Sequence, residues 1–227
     1  MHKDDGSIAI PGFYDDVLPL SDTDRLTWQD IPFGEKEILA ATGSLKLSGE
    51  SGYSALERIW AQPTAEINGI TAGYQGPGSK TIVPAHASAK LSFRLVPRQK
   101  PEEIAARVRK YLTSICPHSV RLEITYDHGG EPYYLDPENP YTLVAREALT
   151  EVFGRPPALI RDGLSIPTVM LFRKILEVET LLIGLGLPDC NAHSPNETFP
   201  LAHLDYGSQL HQVLLAKLGN LGGAASR

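Results

Sequence analysis

A histidine in a polar loop near the C-terminus is the first candidate for chemistry. His193 lies within residues 189–197, which follow a continuous apolar run over residues 180–185. Such a run predicts a buried parallel strand, and ligands of open α/β sheets bind beyond the carboxyl ends of the strands. Because a neutral imidazole is a good zinc ligand, His193 is a candidate metal ligand. The alternative is a surface-loop histidine without a ligand.

Two further residues in the second half of the chain have chemical uses of their own. Cys190 lies three residues before His193, which allows a thiol nucleophile with its base, but no third residue that would orient the imidazole is evident. Ser165 lies in a turn before a helix that is predicted to begin at Pro167. Its hydroxyl could cap that helix, and the free N–H groups there could bind a carboxylate or an oxyanion.

Arg94, Thr81 and His128 are the candidates in the first half of the chain. Arg94 alternates with apolar residues, so it points away from the core, where a guanidinium can grip a carboxylate or simply be solvated. Thr81 ends a segment that lacks the spacing of a phosphate-binding loop, but it can donate a hydrogen bond to a substrate. His128 precedes two glycines, which would allow close approach to a ligand.

The elements that must position these residues divide into two groups. Alternating apolar residues predict strands over residues 84–97 and 120–126, with a helix that begins at Pro101 between them. Together with a strand over residues 65–74, this order predicts a small α+β sandwich with an antiparallel sheet. Shorter helices are predicted over residues 21–30 and 34–42, and a loop over residues 43–54.

An α/β pattern follows in the second half of the chain. A helix begins at Pro140 and stops at Gly154, and further helices are predicted over residues 167–176 and 204–218. Strands are predicted between these helices, over residues 158–161 and 180–185. The chain therefore has two units, with a boundary near residues 130–139.

Composition excludes several functional classes. The formal net charge of −6 argues against a general nucleic-acid binder, which would normally present a basic face. No apolar run approaches the roughly 20 residues that a membrane-spanning helix needs. Two cysteines are too few for a disulfide scaffold, so we expect a cytoplasmic protein that binds neither nucleic acid nor membrane.

Taken together and in order, several short segments resemble one enzyme family. The chain is similar to the metal-dependent dipeptidases, aminoacylases and deacylases that include carnosinase, acetylornithine deacetylase and succinyl-diaminopimelate desuccinylase, and most similar to the dipeptidase branch. The agreement covers nearly the whole chain. The matching segments are Gly69-Ile70, Gly73-Tyr74, Gly78-Ser79-Lys80-Thr81-Ile82-Val83-Pro84, Phe93-Arg94-Leu95-Val96-Pro97, His128-Gly129-Gly130-Glu131-Pro132, Ser165-Ile166-Pro167 and Ala192-His193-Ser194-Pro195-Asn196-Glu197.

The resemblance implies a fold and an activity. Residues 1–131 correspond to most of a lid or dimerisation domain, a ferredoxin-like sandwich with an antiparallel sheet. Residues 132–227 correspond to the C-terminal part of an α/β zinc-peptidase catalytic domain. The implied reaction is hydrolysis of a peptide or N-acyl amide bond next to a free carboxylate, by a homodimer that pairs through its lid domains.

The resemblance also implies residue roles. His193 matches the last metal ligand of the family, and Thr81 and Arg94 match lid residues that bind the carboxylate end of a dipeptide or N-acyl amino acid. His128 matches a lid histidine that reaches the active site of the neighbouring subunit, and we predict that it is catalytic. Ser165 matches a residue of the catalytic domain that contacts the substrate.

The family's remaining active-site residues have no counterpart in this chain. An intact enzyme of this kind would hold two zinc ions and a glutamate base, but the upstream His-x-Asp pair, bridging aspartate, Glu-Glu pair and further acidic ligand have no counterpart here. No strand precedes His2-Lys3-Asp4 to hold it, and the dipole of a helix first turn explains Glu102-Glu103. We therefore expect a C-terminal fragment that is inactive by itself. The alternatives are a non-catalytic dimerising module and a small-ligand-binding module such as an amino-acid sensor.

Overall fold

The computed structural model describes residues 1–161 and 166–224, and the chain forms two compact units. The first unit contains Met1–Arg25, Lys46–Pro132 and a short segment that begins at Arg161. The second contains Leu26–Leu45, Tyr133–Ile160 and the segment that begins at Ile166. The prediction of two domains with a boundary near residues 130–139 stays a prediction.

The helices begin and end at residues with clear local signals. Proline occupies the first turn of α4 and α5, where its missing N–H costs nothing, and left-handed glycines, Gly43 and Gly154, end α2 and α5. The helices are α1 (Asp22–Gln29), α2 (Glu35–Thr42), α3 (Ala55–Ala61), α4 (Pro101–Ile115), α5 (Pro140–Phe153), α6 (Pro167–Leu171) with a π-helical turn at Phe172–Leu176, and α7 (Leu201–Ala224).

The sheet of the first unit is a hairpin of two antiparallel strands. Strand β1 (Thr64–Ala72) pairs with β2 (Ala87–Arg94) from Thr64 opposite Arg94 to Ala72 opposite Ala87. The register shifts between Ile67 and Gly69, as in a β-bulge. This pairing places Arg94 at one end of the hairpin and the loop that contains Thr81 at the other.

The core of the first unit joins this hairpin to α4 and to the N-terminal segment. Phe13 is completely buried, and its ring lies 5.8 Å from the ring of Phe93, which precedes Arg94. Burial, together with a hydrogen bond to Glu50, raises the pKa of Tyr14 beside it to about 12. The buried residues of the cluster are Ile8, Ile10, Phe13, Ala65, Ile104 and Val108.

The second unit is organised around the helices α5 and α7. Ala145, Ala148 and Leu210 are buried, and the rings of Phe153 and Tyr206 lie 5.1 Å apart. The ammonium of Lys217 lies 3.2 Å from the carboxylate of Glu151 on α5. In the described ranges, no helix combines the length and the apolar character that crossing a membrane requires.

Each of the predicted helices is confirmed, but three predicted strands are wrong. Residues 120–126, 158–161 and 180–185 belong to no β-ladder, and Leu182 of the apolar run is 56% exposed. An apolar pattern indicates which face of a segment can be buried. A β-ladder also needs a neighbouring strand, and the described residues supply none for these three segments. The helix α3 is not among the predicted elements, although Ser54 and Glu57 form a capping box at its start.

Candidate functional site

Thr81 lies exposed in the loop between β1 and β2. Left-handed glycines, Gly73 and Gly78, bend this loop. The hydroxyl of Tyr74 donates a hydrogen bond to Pro77 O at 3.2 Å, and the ammonium of Lys80 lies 5.7 Å from the centre of the Tyr74 ring. The loop therefore has internal contacts immediately before Thr81.

Arg94 is the last residue of β2, and its side chain is exposed as predicted. The turn that follows is fixed by Gln99, whose side chain is buried. Its Oε1 accepts a hydrogen bond from Val96 N at 3.0 Å, and its Nε2 donates one to Phe13 O at 2.7 Å. Because Phe93 packs on Phe13, the backbone on both sides of Arg94 is fixed while its guanidinium faces outward.

His128 lies in a segment without regular secondary structure, and its side chain is 86% exposed. Its ring Nδ1 lies 3.0 Å from the carboxylate of Asp127. A Cβ at the next residue, Gly129, would overlap the Tyr126 hydroxyl and the ring of Pro101 at the start of α4. Only glycine allows this close approach, so the backbone beside His128 is held against α4.

The loop that contains His193 has an unusual backbone. Asn191, His193 and Asn196 all have positive φ angles, and the φ of His193 is 62°. Non-glycine residues adopt this region infrequently, and such residues cluster at functional sites. A hydrogen bond from Thr198 N to Cys190 O, 2.9 Å long, closes the loop around the exposed histidine.

The candidate residues fall in different parts of the molecule. Thr81, Arg94 and His128 belong to the first unit, and His193 belongs to the second. Ser165 lies outside the described residues. The geometry within either unit does not test the roles of these residues, so the roles stay predictions.

The side chains present do not form a zinc site by themselves. Within residues 1–161 and 166–224, no group of three or more His, Cys, Asp or Glu residues lies close enough together to hold a metal ion. A catalytic zinc normally has about three protein ligands in addition to water. His193 therefore belongs to no such three-residue cluster among the described residues.

Comparison with protein families identifies the first half of the chain. The family described as the peptidase dimerisation domain of M20 peptidases matches residues 6–120, just over half of the chain. The chain belongs to the M20 peptidase family. The match covers both strands of the hairpin and all of α4, the elements that position Thr81 and Arg94.

Curated M20 relatives are metallodipeptidases. The human protein named Beta-Ala-His dipeptidase is 28% identical over 219 residues, which are 95% of this chain and 43% of the relative. The Candida albicans protein named Cys-Gly metallodipeptidase DUG1 is 32% identical over 203 residues, 87% of this chain and 41% of the relative. The chain thus spans less than half the length of these relatives.

Solved M20 structures have the same fold. Human carnosine dipeptidase 1 superposes with a TM-score of 0.77 at 28% identity, covering 97% of this chain and 47% of that protein. The M20 family metallo-carboxypeptidase Sso-CP2 from Sulfolobus solfataricus gives a TM-score of 0.79 at 28% identity, covering 94% and 49%. The predicted family and fold class are confirmed.

Proposed function

We propose that the chain is the C-terminal part of a di-zinc dipeptidase that cleaves a peptide or N-acyl amide bond next to a free carboxylate in the cytoplasm. Residues 1–131 are its lid and dimerisation domain, and residues 132–227 are the last part of its catalytic domain. The observation that carries this proposal is the alignment of two kinds of metallodipeptidase with 87 to 95% of the chain.

Exposed apolar side chains in the second unit support the idea that more protein covers it. Large apolar residues left in water in such density normally mark a surface that another part of the fold or a partner covers. The relatives have more than half of their length beyond the aligned region, which is enough to provide that cover. The exposed residues are Ile166, Leu171, Phe172, Ile175, Leu176, Val178, Leu182, Leu187, Phe199, Leu201 and Leu204.

The proposed roles divide between substrate binding and metal binding. The guanidinium of Arg94 binds a substrate carboxylate through paired hydrogen bonds, and the hydroxyl of Thr81, in the loop at the other end of the hairpin, donates a hydrogen bond to a substrate. Ser165 contacts the substrate, and His128 acts at the reacting group as a catalytic histidine. His193 supplies one zinc ligand, and its left-handed backbone supports this role because a strained residue commonly marks a functional position.

The reading frame upstream of Met1 tests the proposal most directly. We expect it to encode a His-x-Asp pair and a Glu-Glu pair, which would complete the metal site and supply the general base. We use the name extended protein for the protein in which this chain follows such an upstream part. The alternative of a non-catalytic module would be favoured by a gene that begins at Met1 and whose product binds small carboxylates or dimerises. This alternative is also consistent with the described residues, which contain no three-residue metal cluster.

Replacing Arg94 with glutamine should raise the KM of the extended protein for dipeptides and leave kcat within about threefold. Loss of one hydrogen bond to a charged group, worth about 1.5–3 kcal/mol, corresponds to an increase of about 10- to 150-fold in KM. Steady-state kinetics measure both constants. Arg121→Gln, which removes another exposed arginine of the same unit, is the matched control and should leave KM unchanged. Equal KM values for the two variants would contradict the role of Arg94.

Dimerisation is proposed to use the open edge of the β1–β2 hairpin. Among the described residues β1 pairs only with β2, so its other edge can be extended by a symmetric copy, and Ile70 on β1 is 68% exposed. Ile70→Asp should raise the dimer dissociation constant at least about tenfold, since a buried unpaired charge costs more than 1.4 kcal/mol. Leu215→Asp on α7, with 66% exposure, is the control. Sedimentation equilibrium that finds only monomer at high concentration would contradict the proposal.

A further inference from the structure

The loop between β1 and β2 is built around one aromatic side chain. It connects Ala72 to Ala87, the last pair of the hairpin ladder, and residues 73–86 contain no regular secondary structure. A long loop without regular structure is ordinarily mobile, because its backbone hydrogen bonds go to water. Here the side chain of Tyr74 provides contacts that bridge the loop internally.

Tyr74 contacts the loop at three later positions. Its hydroxyl donates to Pro77 O at 3.2 Å, which closes a short turn. A Cβ on Gly76 would overlap the hydroxyl and Cζ of the same ring, so the backbone of Gly76 lies directly against the aromatic edge. The ammonium of Lys80 lies 5.7 Å from the ring centre, within the range of a cation–π interaction.

These contacts end at the residue that directly precedes Thr81. Fixing Lys80 over the ring restricts the peptide that joins Lys80 to Thr81, and therefore restricts the direction in which the hydroxyl of Thr81 can point. The start of the loop is fixed independently, because the side-chain amide of Gln75 donates to Ala72 O at 2.6 Å. The loop is thus joined to the end of β1 through Gln75, and Tyr74 contacts the residue before Thr81 through Lys80.

We propose that Tyr74 is a positioning residue that holds the loop over residues 74–81 in one conformation and so presents the hydroxyl of Thr81 to a substrate. The inference rests on the proposed function for the role of Thr81, but the ordering of the loop is a property of this chain alone. Tyr74 itself does not bind the substrate; it acts through Lys80 and the backbone of Gly76.

The ordering of the loop is tested on the 227-residue chain. Tyr74→Phe keeps the ring and removes the hydroxyl, Tyr74→Leu removes both, and Lys80→Met removes the cation. In NMR spectra, the Lys80 side-chain protons should show an upfield ring-current shift that survives in Tyr74→Phe and is lost in Tyr74→Leu. Amide exchange over residues 75–81 should accelerate about 2- to 5-fold in Lys80→Met, the factor expected from one exposed cation–π contact, and more in Tyr74→Leu.

The control and the contradicting outcome are both specific. Tyr141→Leu replaces a tyrosine of nearly equal exposure on α5, 47% against 45%, and should leave the loop signals unchanged. An absent ring-current shift in the wild type, or identical amide exchange in wild type and Tyr74→Leu, would overturn the ordering by Tyr74.

The positioning of Thr81 is tested by kinetics of the extended protein. Tyr74→Leu should raise KM about 3- to 10-fold with kcat nearly unchanged, and Thr81→Val should do the same. If Tyr74 acts through Thr81, Tyr74→Leu should add little in the Thr81→Val background, as a double-mutant cycle measures. Additive effects would overturn the inference. An unchanged KM in Thr81→Val would instead remove Thr81 from the proposed function, and the NMR measurements would still decide whether Tyr74 orders the loop.

Discussion

The purified 227-residue chain is expected to hydrolyse dipeptides no faster than buffer, whether or not zinc is added. A catalytic zinc needs about three protein ligands, and His193 is the one residue of this chain to which a ligand role is assigned. The general base is also proposed to lie upstream. Relative to the extended protein, the loss should exceed about a thousandfold, because metal and base each contribute large factors to hydrolysis.

Release of free amino acids from dipeptides, measured with and without zinc and with a chelator, checks this expectation. The extended protein is the positive control, and its His193→Ala variant should fall to nearly the background of the short chain. Chelator-sensitive turnover by the purified 227-residue chain would contradict the division of the active site proposed here.

Phe13→Ala is expected to destabilise the first unit by about 3–5 kcal/mol, the usual cost of removing a fully buried phenylalanine. Its ring is completely buried among Ile8, Ile10 and the apolar face of α4, and it contacts the ring of Phe93. Urea denaturation followed by circular dichroism measures the change in the free energy of unfolding. Because Phe93 directly precedes Arg94, we also expect weaker substrate binding at temperatures where the variant remains folded.

Phe199→Ala is the matched control for this stability measurement. Phe199 is 46% exposed, so its removal deletes far less buried surface and should cost less than about 1 kcal/mol. Similar losses for the two variants would show that the N-terminal segment contributes little to the core of the first unit.

Helices were predictable because their signals are local. The proline at the start of α4, the apolar stripe of Ile104 and Val108, and the left-handed Gly154 after α5 all act within one or two turns of the backbone. Such signals need no distant partner, and the structure confirms each of these helices.

Strands and long-range contacts were less predictable because they depend on distant segments. Residues 120–126 and 180–185 have the apolar patterns of strands, yet a ladder requires a second backbone that the sequence pattern does not identify. The hydrogen bond from Trp28 Nε1 to Leu159 O joins residues 131 positions apart. No periodic pattern reports such a contact, so the grouping of residues 26–45 with the second unit was not predicted.

The candidate site shows the same limit. The exposure of Arg94 followed from period-two alternation along β2, which is a local property. The contacts of Tyr74 with Pro77, Gly76 and Lys80 have no helical or strand period, and the sequence offered only the clue of an aromatic residue among closely spaced glycines. Side-chain arrangements inside irregular loops follow from specific packing, which must be observed.

The chain passes between its two units more than once, so neither unit is one continuous stretch of sequence. A genetic crossover near residue 131 would therefore inherit Leu26–Leu45 from one parent and Tyr133–Ile160 from the other. In such a hybrid, Trp28 and Leu159 would come from different parents, although Trp28 Nε1 donates a hydrogen bond of 2.9 Å to Leu159 O in the native protein. Recombining or splitting this gene at a single junction should thus be tolerated poorly. Hybrid proteins that take residues 26–45 and the C-terminal stretch from the same parent should fold better.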